Sequence, residues 1–102
     1  MADHQILIVG GGAAGIATAA SLHNRDASLD IAIIEPSTTH YYQPGWTMVG
    51  AGVFKKEETA RSTASVMPSY VTQIKGAVAS FQPEENSVKL EDGKALTYDY
   101  LV

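Results

Sequence analysis

The stretch from Gln5 to Gly15, QILIVGGGAAG, constrains the chain more than any other. Ile6, Leu7, Ile8 and Val9 form an unbroken apolar run, the pattern of a strand buried on both faces. Gly10, Gly12 and Gly15 then fit G-x-G-x-x-G, and Ala13 to His23 follows as an alanine-rich helix. Strand, turn and helix in that order separate a dinucleotide-binding fingerprint from a chance cluster of glycines. Each glycine has a separate task. Gly10 lets the chain leave the strand in a tight turn, Gly12 removes a side chain where a pyrophosphate must approach the backbone, and Gly15 lets the helix sit close on the strand. Free N–H groups and the positive end of the helix dipole would then face the phosphates.

The next elements extend the pattern. The helix carries Ile16, Ala19, Ala20 and His23 at helical spacing, with small residues where it presses on a sheet. After the polar run His23-Asn24-Arg25-Asp26 comes a second strand, Asp30 to Glu35, in which Ile31 to Ile34 is again apolar throughout. Together these make a β-α-β unit with parallel strands and a right-handed crossover. Glu35 stands at the end of the second strand, at the spacing where a carboxylate binds an adenosine ribose diol and disfavours a 2′-phosphate. Pro36 ends the strand. The competing readings are a purely structural glycine turn and an ordinary strand-end carboxylate.

With 102 residues the chain is long enough for one domain, but short for a dinucleotide enzyme with a substrate domain. A formal charge of −4 and scattered basic residues argue against a nucleic-acid footprint. There is no cysteine, which removes disulfides, thiolate nucleophiles and zinc–thiolate sites. Neither a secretory signal nor a transmembrane span is expected from the first residues.

The fingerprint does not choose between nicotinamide and flavin, but the later chain does. A plain NAD domain should continue with further β-α units. Instead, Thr38 to Val53 is rich in aromatic residues and glycine, with a short helix expected around Gly45 to Gly50. Lys55-Lys56-Glu57-Glu58 reads as a solvated face, and Arg61 to Tyr70 as a polar connection in which Pro68 ends any helix. Alternating runs follow at Val71–Ile74, Val78–Phe81, Val88–Leu90 and Leu96–Tyr98, with turn signals at Pro83–Asn86 and Asp92-Gly93. They predict a small antiparallel meander, after which Tyr100–Val102 forms a last apolar strand. The expected fold is therefore α/β: a Rossmann-like β-α-β unit with an antiparallel β-meander, forming part of a domain.

This order of elements resembles the FAD domain of the glutathione-reductase-like flavoproteins. Within that group, Glu35 to Gly52, EPSTTHYYQPGWTMVGAG, resembles the corresponding segment of the sulfide:quinone oxidoreductases. Their pattern there runs E-P-S, then H-[FY]-Y-Q-P-x-W-T-x-V-G-A-G. Thr63 to Ser69 and the Ile74-Lys75 pair are similar to that family as well. Two positions depart from it: Ala13-Ala14 stands where members often have Ser-Gly, and Ser62 follows Arg61 where a proline is common. The resemblance covers essentially the whole chain, which corresponds to about the first quarter of such an enzyme.

The resemblance implies FAD as cofactor. Gly10, Gly12, Ala13, Ala14 and Gly15 would line its pyrophosphate and Glu35 its adenosine ribose. Gln43 would lie beyond that ribose, Pro44 on the flavin side, and the Val78 backbone at the adenine edge. It also implies an intact enzyme that oxidises sulfide at a pair of redox cysteines and passes electrons through FAD to quinone. That enzyme would be peripheral on the inner (cytoplasmic) membrane through its C-terminal part, and could be a homo-oligomer. The redox cysteines would lie beyond Val102, so the 102-residue chain is expected to be the N-terminal part of the FAD domain and catalytically silent alone. The rivals are a type II NADH dehydrogenase, the flavin subunit of flavocytochrome c sulfide dehydrogenase, and a non-catalytic nucleotide-binding module. Without the resemblance, His40, Tyr41, Tyr42 and Trp46 read as a satellite core under a long loop, Arg61 as a solvated arginine, and His4 and His23 as surface residues.

Overall fold

The structure is a computed structural model that describes residues 2–102. Strand β1 (His4–Val9) leads through the glycine turn into helix α1 (Ala13–Arg25) and then strand β2 (Ile31–Glu35). The two strands pair in parallel, with Ile6 opposite Ile31 and Val9 opposite Ile34. The apolar runs divide between the two faces of the sheet, as a period of two requires. Ile6, Ile8, Ile31 and Ile33 point to the side covered by α1, where Ala19 is fully buried. Leu7, Ala32 and Ile34 point to the other side. A small residue at Ala19 lets the helix approach, and each large aliphatic group removed from water contributes roughly 1.5–3 kcal/mol.

The second face is covered by the meander. Strands β6 (Val78–Gln82), β7 (Ser87–Leu90) and β8 (Ala95–Leu101) are antiparallel neighbours, turning at Pro83–Asn86 and Asp92-Gly93 as the sequence predicts. Val88, Leu90 and Tyr98 pack on Leu7, Ala32 and Ile34. The order of the main sheet is β5-β2-β1-β8-β7-β6, where β5 is Val71–Lys75. Its two end strands, β5 and β6, are separated in sequence only by Gly76 and Ala77. The sheet therefore folds over on itself, which brings the meander across the face opposite α1.

Two strand assignments differ from the sequence reading. Val71–Lys75 does not belong to the meander: it lies parallel to β2, with Val71 opposite Ile31 and Lys75 opposite Glu35. As an edge strand it buries Val71 under the helical layer, half-buries Ile74 and leaves Thr72, Gln73 and Lys75 exposed, a mixed pattern that a meander strand can also show. Leu96–Tyr98 and Tyr100–Val102 are not two strands. They form the single strand β8, whose first half pairs antiparallel with β7 and whose second half pairs parallel with β1. Exposed Asp99 interrupts the apolar pattern at the change of partner.

The aromatic stretch forms a separate small unit. Strands β3 (Thr39–Tyr41) and β4 (Ala60–Ser62) make an antiparallel ladder that the sequence reading treats as loop and connection. Between them lie a 3-10 turn at Gln43–Gly45 and the short helix α2 (Trp46–Gly50), close to the helix expected at Gly45 to Gly50. A further one-turn helix, α3 (Thr63–Val66), is capped by the Ser62 hydroxyl, which accepts from the Ser65 N–H at 3.2 Å. Thr63 fixes the ladder against the end of β2. It is fully buried, its hydroxyl donates to the Ser37 carbonyl at 2.9 Å, and its N–H donates to the Thr38 carbonyl at 2.8 Å. His23 is not a free surface residue: its ring stacks on Tyr70 at 3.6 Å between centroids, tying the end of α1 to the approach to β5.

Candidate functional site

The site lies where β1 and β2 end, the position at which open parallel sheets take their ligands. Gly10 leaves β1 with φ +108°, in the left-handed region that glycine tolerates, while its N–H donates to the Ile34 carbonyl at 2.9 Å. A Cβ on Gly15 would collide with the Gly10 carbonyl oxygen, so the absence of a side chain there sets the approach of α1 to the turn. Gly12 behaves differently. Its φ of −75° suits any residue, and a Cβ built on it meets nothing within 4 Å. Packing does not require a glycine at position 12, and its missing side chain leaves open space. No side chain caps α1 at this end, so the first-turn N–H groups face the same region.

Glu35 is brought to the turn. One carboxylate oxygen accepts from the Gly11 N–H at 2.8 Å and the other from the Ser37 N–H at 2.9 Å. A Cβ on Gly11 would lie 2.9 Å from the Glu35 Cβ, so the middle glycine makes room for the carboxylate's stem. A cleft of about 220 Å³ opens beside this contact, with Gly11, Gly12, Glu35, His40, Tyr41 and Gln43 in its wall. A second cleft, of about 550 Å³, is lined by Gly12, Ala13, Ala14, Tyr41, Gln43 and Pro44. The two share Gly12, Tyr41 and Gln43, and so make one groove running from Glu35 past the turn to Pro44.

The structure thus gathers Gly10, Gly12, Ala13, Ala14, Gly15, Glu35, Gln43 and Pro44 around one groove or its supporting turn. Val78 is set apart from them. It is half-buried at the start of β6, packs with the meander cluster and pairs with Leu90. A third cleft, of about 330 Å³, is walled by Pro36, Lys75, Gly76, Ala77, Leu90 and Glu91, and so includes the residue before Val78 and its partner Leu90. Gly11, His40 and Tyr41 also stand in the groove wall, beyond the positions expected from the fingerprint. For Gly11 the signal was present in the triple glycine. His40 and Tyr41 fall in the H-[FY]-Y-Q-P pattern, but their place in the wall is set by a ladder that pairs them with residues some twenty positions away. Among the described residues, no group of three or more His, Cys, Asp or Glu side chains could hold a metal ion. No described helix is long and apolar enough to cross a membrane.

Residues 4–102 match the family described as pyridine nucleotide-disulphide oxidoreductase. The chain belongs to that family. Its members are oxidoreductases and FAD-binding flavoproteins, which bears out the class and cofactor expected from the sequence. The chain is 46% identical over 99 residues to the mitochondrial sulfide:quinone oxidoreductase of Dictyostelium discoideum, covering 96% of this chain and 22% of that protein. It is similar in structure to the sulfide:quinone oxidoreductase of the hyperthermophilic bacterium Aquifex aeolicus, with a TM-score of 0.82 and 30% identity, over 96% of this chain and 23% of that one. It is also 30% identical over 104 residues to the type II NADH:quinone oxidoreductase NdhA of Mycobacterium tuberculosis, covering 97% of this chain and 22% of that protein. These likenesses bear out the resemblance to the sulfide:quinone oxidoreductases. The chain spans between a fifth and a quarter of the relatives' length.

Proposed function

We propose that this chain is the N-terminal part of the FAD-binding domain of a flavin-dependent sulfide:quinone oxidoreductase, and that it grips the adenosine and pyrophosphate portions of the cofactor. The observation that carries this reading is the groove, which begins at a carboxylate, passes a glycine whose missing side chain leaves open space, and ends at Gln43 and Pro44. Its wall suits the group. Glu35 would accept from the ribose diol. Gly12, Ala13, Ala14 and Gly15 would present first-turn N–H groups to the pyrophosphate, aided by the α1 dipole. Gln43 and Pro44 would border the path toward the flavin. The Val78 main chain would receive the adenine edge, since β6 is an edge strand with one side of its backbone outside the sheet ladder.

When bound, FAD would supply the acceptor for the electron pair that leaves sulfide and would pass that pair to quinone. The chain contains no cysteine, so sulfur chemistry would be carried by residues outside it, and residues 1–102 alone would hold cofactor without turning over. Membrane attachment and any homo-oligomeric contact would likewise be made outside this segment. The likeness to a type II NADH:quinone oxidoreductase favours a second reading, in which the same groove serves an enzyme that takes electrons from NADH. The two readings separate on the electron donor. The intact flavoprotein should reduce a soluble quinone with sulfide and not with NADH. Quinone reduction by NADH, with none by sulfide, would establish the second reading in place of the first.

A further inference from the structure

We propose that His40 is a positioning residue of the cofactor groove, acting through the carbonyl of Gly11. The inference rests on the FAD reading above and assigns a task to a side chain that the fingerprint does not contain. The His40 Nδ1 lies 3.3 Å from the Gly11 carbonyl oxygen, and the ring is half-buried in the groove wall. The Gly11 N–H, at the other end of the same residue, donates to Glu35 at 2.8 Å. Gly11 is thus held from both ends by side chains of two different elements, β2 and β3. The carbonyl that His40 holds belongs to the same planar peptide as the Gly12 N–H. In a trans peptide these two groups point in opposite directions. Fixing the carbonyl toward β3 therefore fixes the direction of the Gly12 N–H, one of the donors meant for the pyrophosphate.

The chemistry restricts the form of the ring. A carbonyl oxygen only accepts, so Nδ1 must carry the proton. The other charged and titratable groups near the ring do not compete for Nδ1. Glu35 is occupied by two backbone N–H groups, and Arg61, opposite His40 in the ladder, donates to the Glu58 and Ala60 carbonyls at 3.0 and 2.7 Å. Tyr41, next along the strand, lines the groove as well.

The donor's position gives a discriminating test. The side-chain amide nitrogen of asparagine falls where Nδ1 stands, whereas that of glutamine falls nearer Nε2. In the intact flavoprotein, H40N should retain FAD with nearly wild-type affinity, while H40Q and H40F should weaken it about fivefold, the ratio for one hydrogen bond of about 1 kcal/mol. FAD dissociation is measured by recovery of flavin fluorescence, and the melting temperature of each apoprotein reports folding separately. If H40N is as weak as H40Q, His40 acts by charge or bulk and the positioning role is overturned. Wild-type retention in all three variants would overturn it too. Failure of the wild-type protein to bind FAD would instead refute the functional reading on which this inference rests.

Discussion

Replacing Gly12 with alanine separates the needs of the fold from those of the ligand. A Cβ at this position meets no protein atom within 4 Å, and the backbone, at φ −75° and ψ −172°, is open to any residue. Glycine is better than alanine at a helix N-cap, by up to about 1 kcal/mol. Stiffening of the unfolded chain returns about 0.4–1 kcal/mol. G12A should therefore leave the apoprotein within about 1 kcal/mol of wild type. The cofactor should respond quite differently. A phosphate oxygen must come within about 2.9 Å of a backbone nitrogen to bond it, and a methyl group at the same residue holds it off. Losing one charge-assisted hydrogen bond costs about 1.5–3 kcal/mol, which weakens FAD roughly ten- to hundredfold. Denaturant unfolding of the apoprotein and equilibrium titration with FAD measure the two quantities on one sample. Unchanged FAD affinity in G12A would mean that the pyrophosphate does not pass Gly12. A large loss of apoprotein stability would mean that position 12 is packed and not open.

The other perturbations probe different parts of the same region. Gly15→Ala should behave as the opposite of G12A, because its Cβ strikes the backbone oxygen of Gly10 and no rotamer change relieves that. The expected loss is about 1–3 kcal/mol of apoprotein stability despite the better helix propensity of alanine, and an unchanged unfolding curve would contradict the packing described for α1. Glu35→Gln keeps one acceptor for Gly11 or Ser37 but turns an amide N–H toward the other donor. Calorimetry should show FAD weakened about fivefold, on the order of 1 kcal/mol for one lost bond, and equal affinity would remove Glu35 from the ribose site. Asp3 carries the pH prediction. The Thr97 N–H, and after it the Thr97 hydroxyl, hold its carboxyl below the ordinary 3.8. A folded-state value below the unfolded one means that the contribution is complete above pH 3.8 and is lost as the pH falls through the folded value. Melting temperatures of wild type and D3N should differ at neutral pH and converge in acid, and a constant difference would show that the carboxylate is not the cause.

Much of this was legible in local pattern. Ile6–Ile8 and Ile31–Ile34 are apolar at every position because both faces of their strands are covered, one by α1 and the other by the meander, whereas Val9 at the end of β1 is exposed. The turns at Pro83–Asn86 and Asp92-Gly93 carried their own chemistry. What escaped depends on partners distant in sequence. An edge strand such as Val71–Lys75 mixes apolar and polar residues whether it pairs with β2 or with a meander, and its residues do not say which. A three-residue strand is too short to display a period, so the β3–β4 ladder, and with it the place of His40 and Tyr41 in the groove, stayed hidden. The fingerprint glycines and Glu35 were legible for the opposite reason: their spacing along the chain is itself the geometry of the site.

Everything rests on the groove from Glu35 through Gly12 to Pro44 being a grip for FAD. Equilibrium titration of the intact apoprotein with FAD, ADP and NAD measures this directly. FAD should bind most tightly, ADP should retain the part of that affinity due to the adenosine and pyrophosphate half, and NAD should bind more weakly than FAD. NAD binding as tight as FAD or tighter would contradict the assignment.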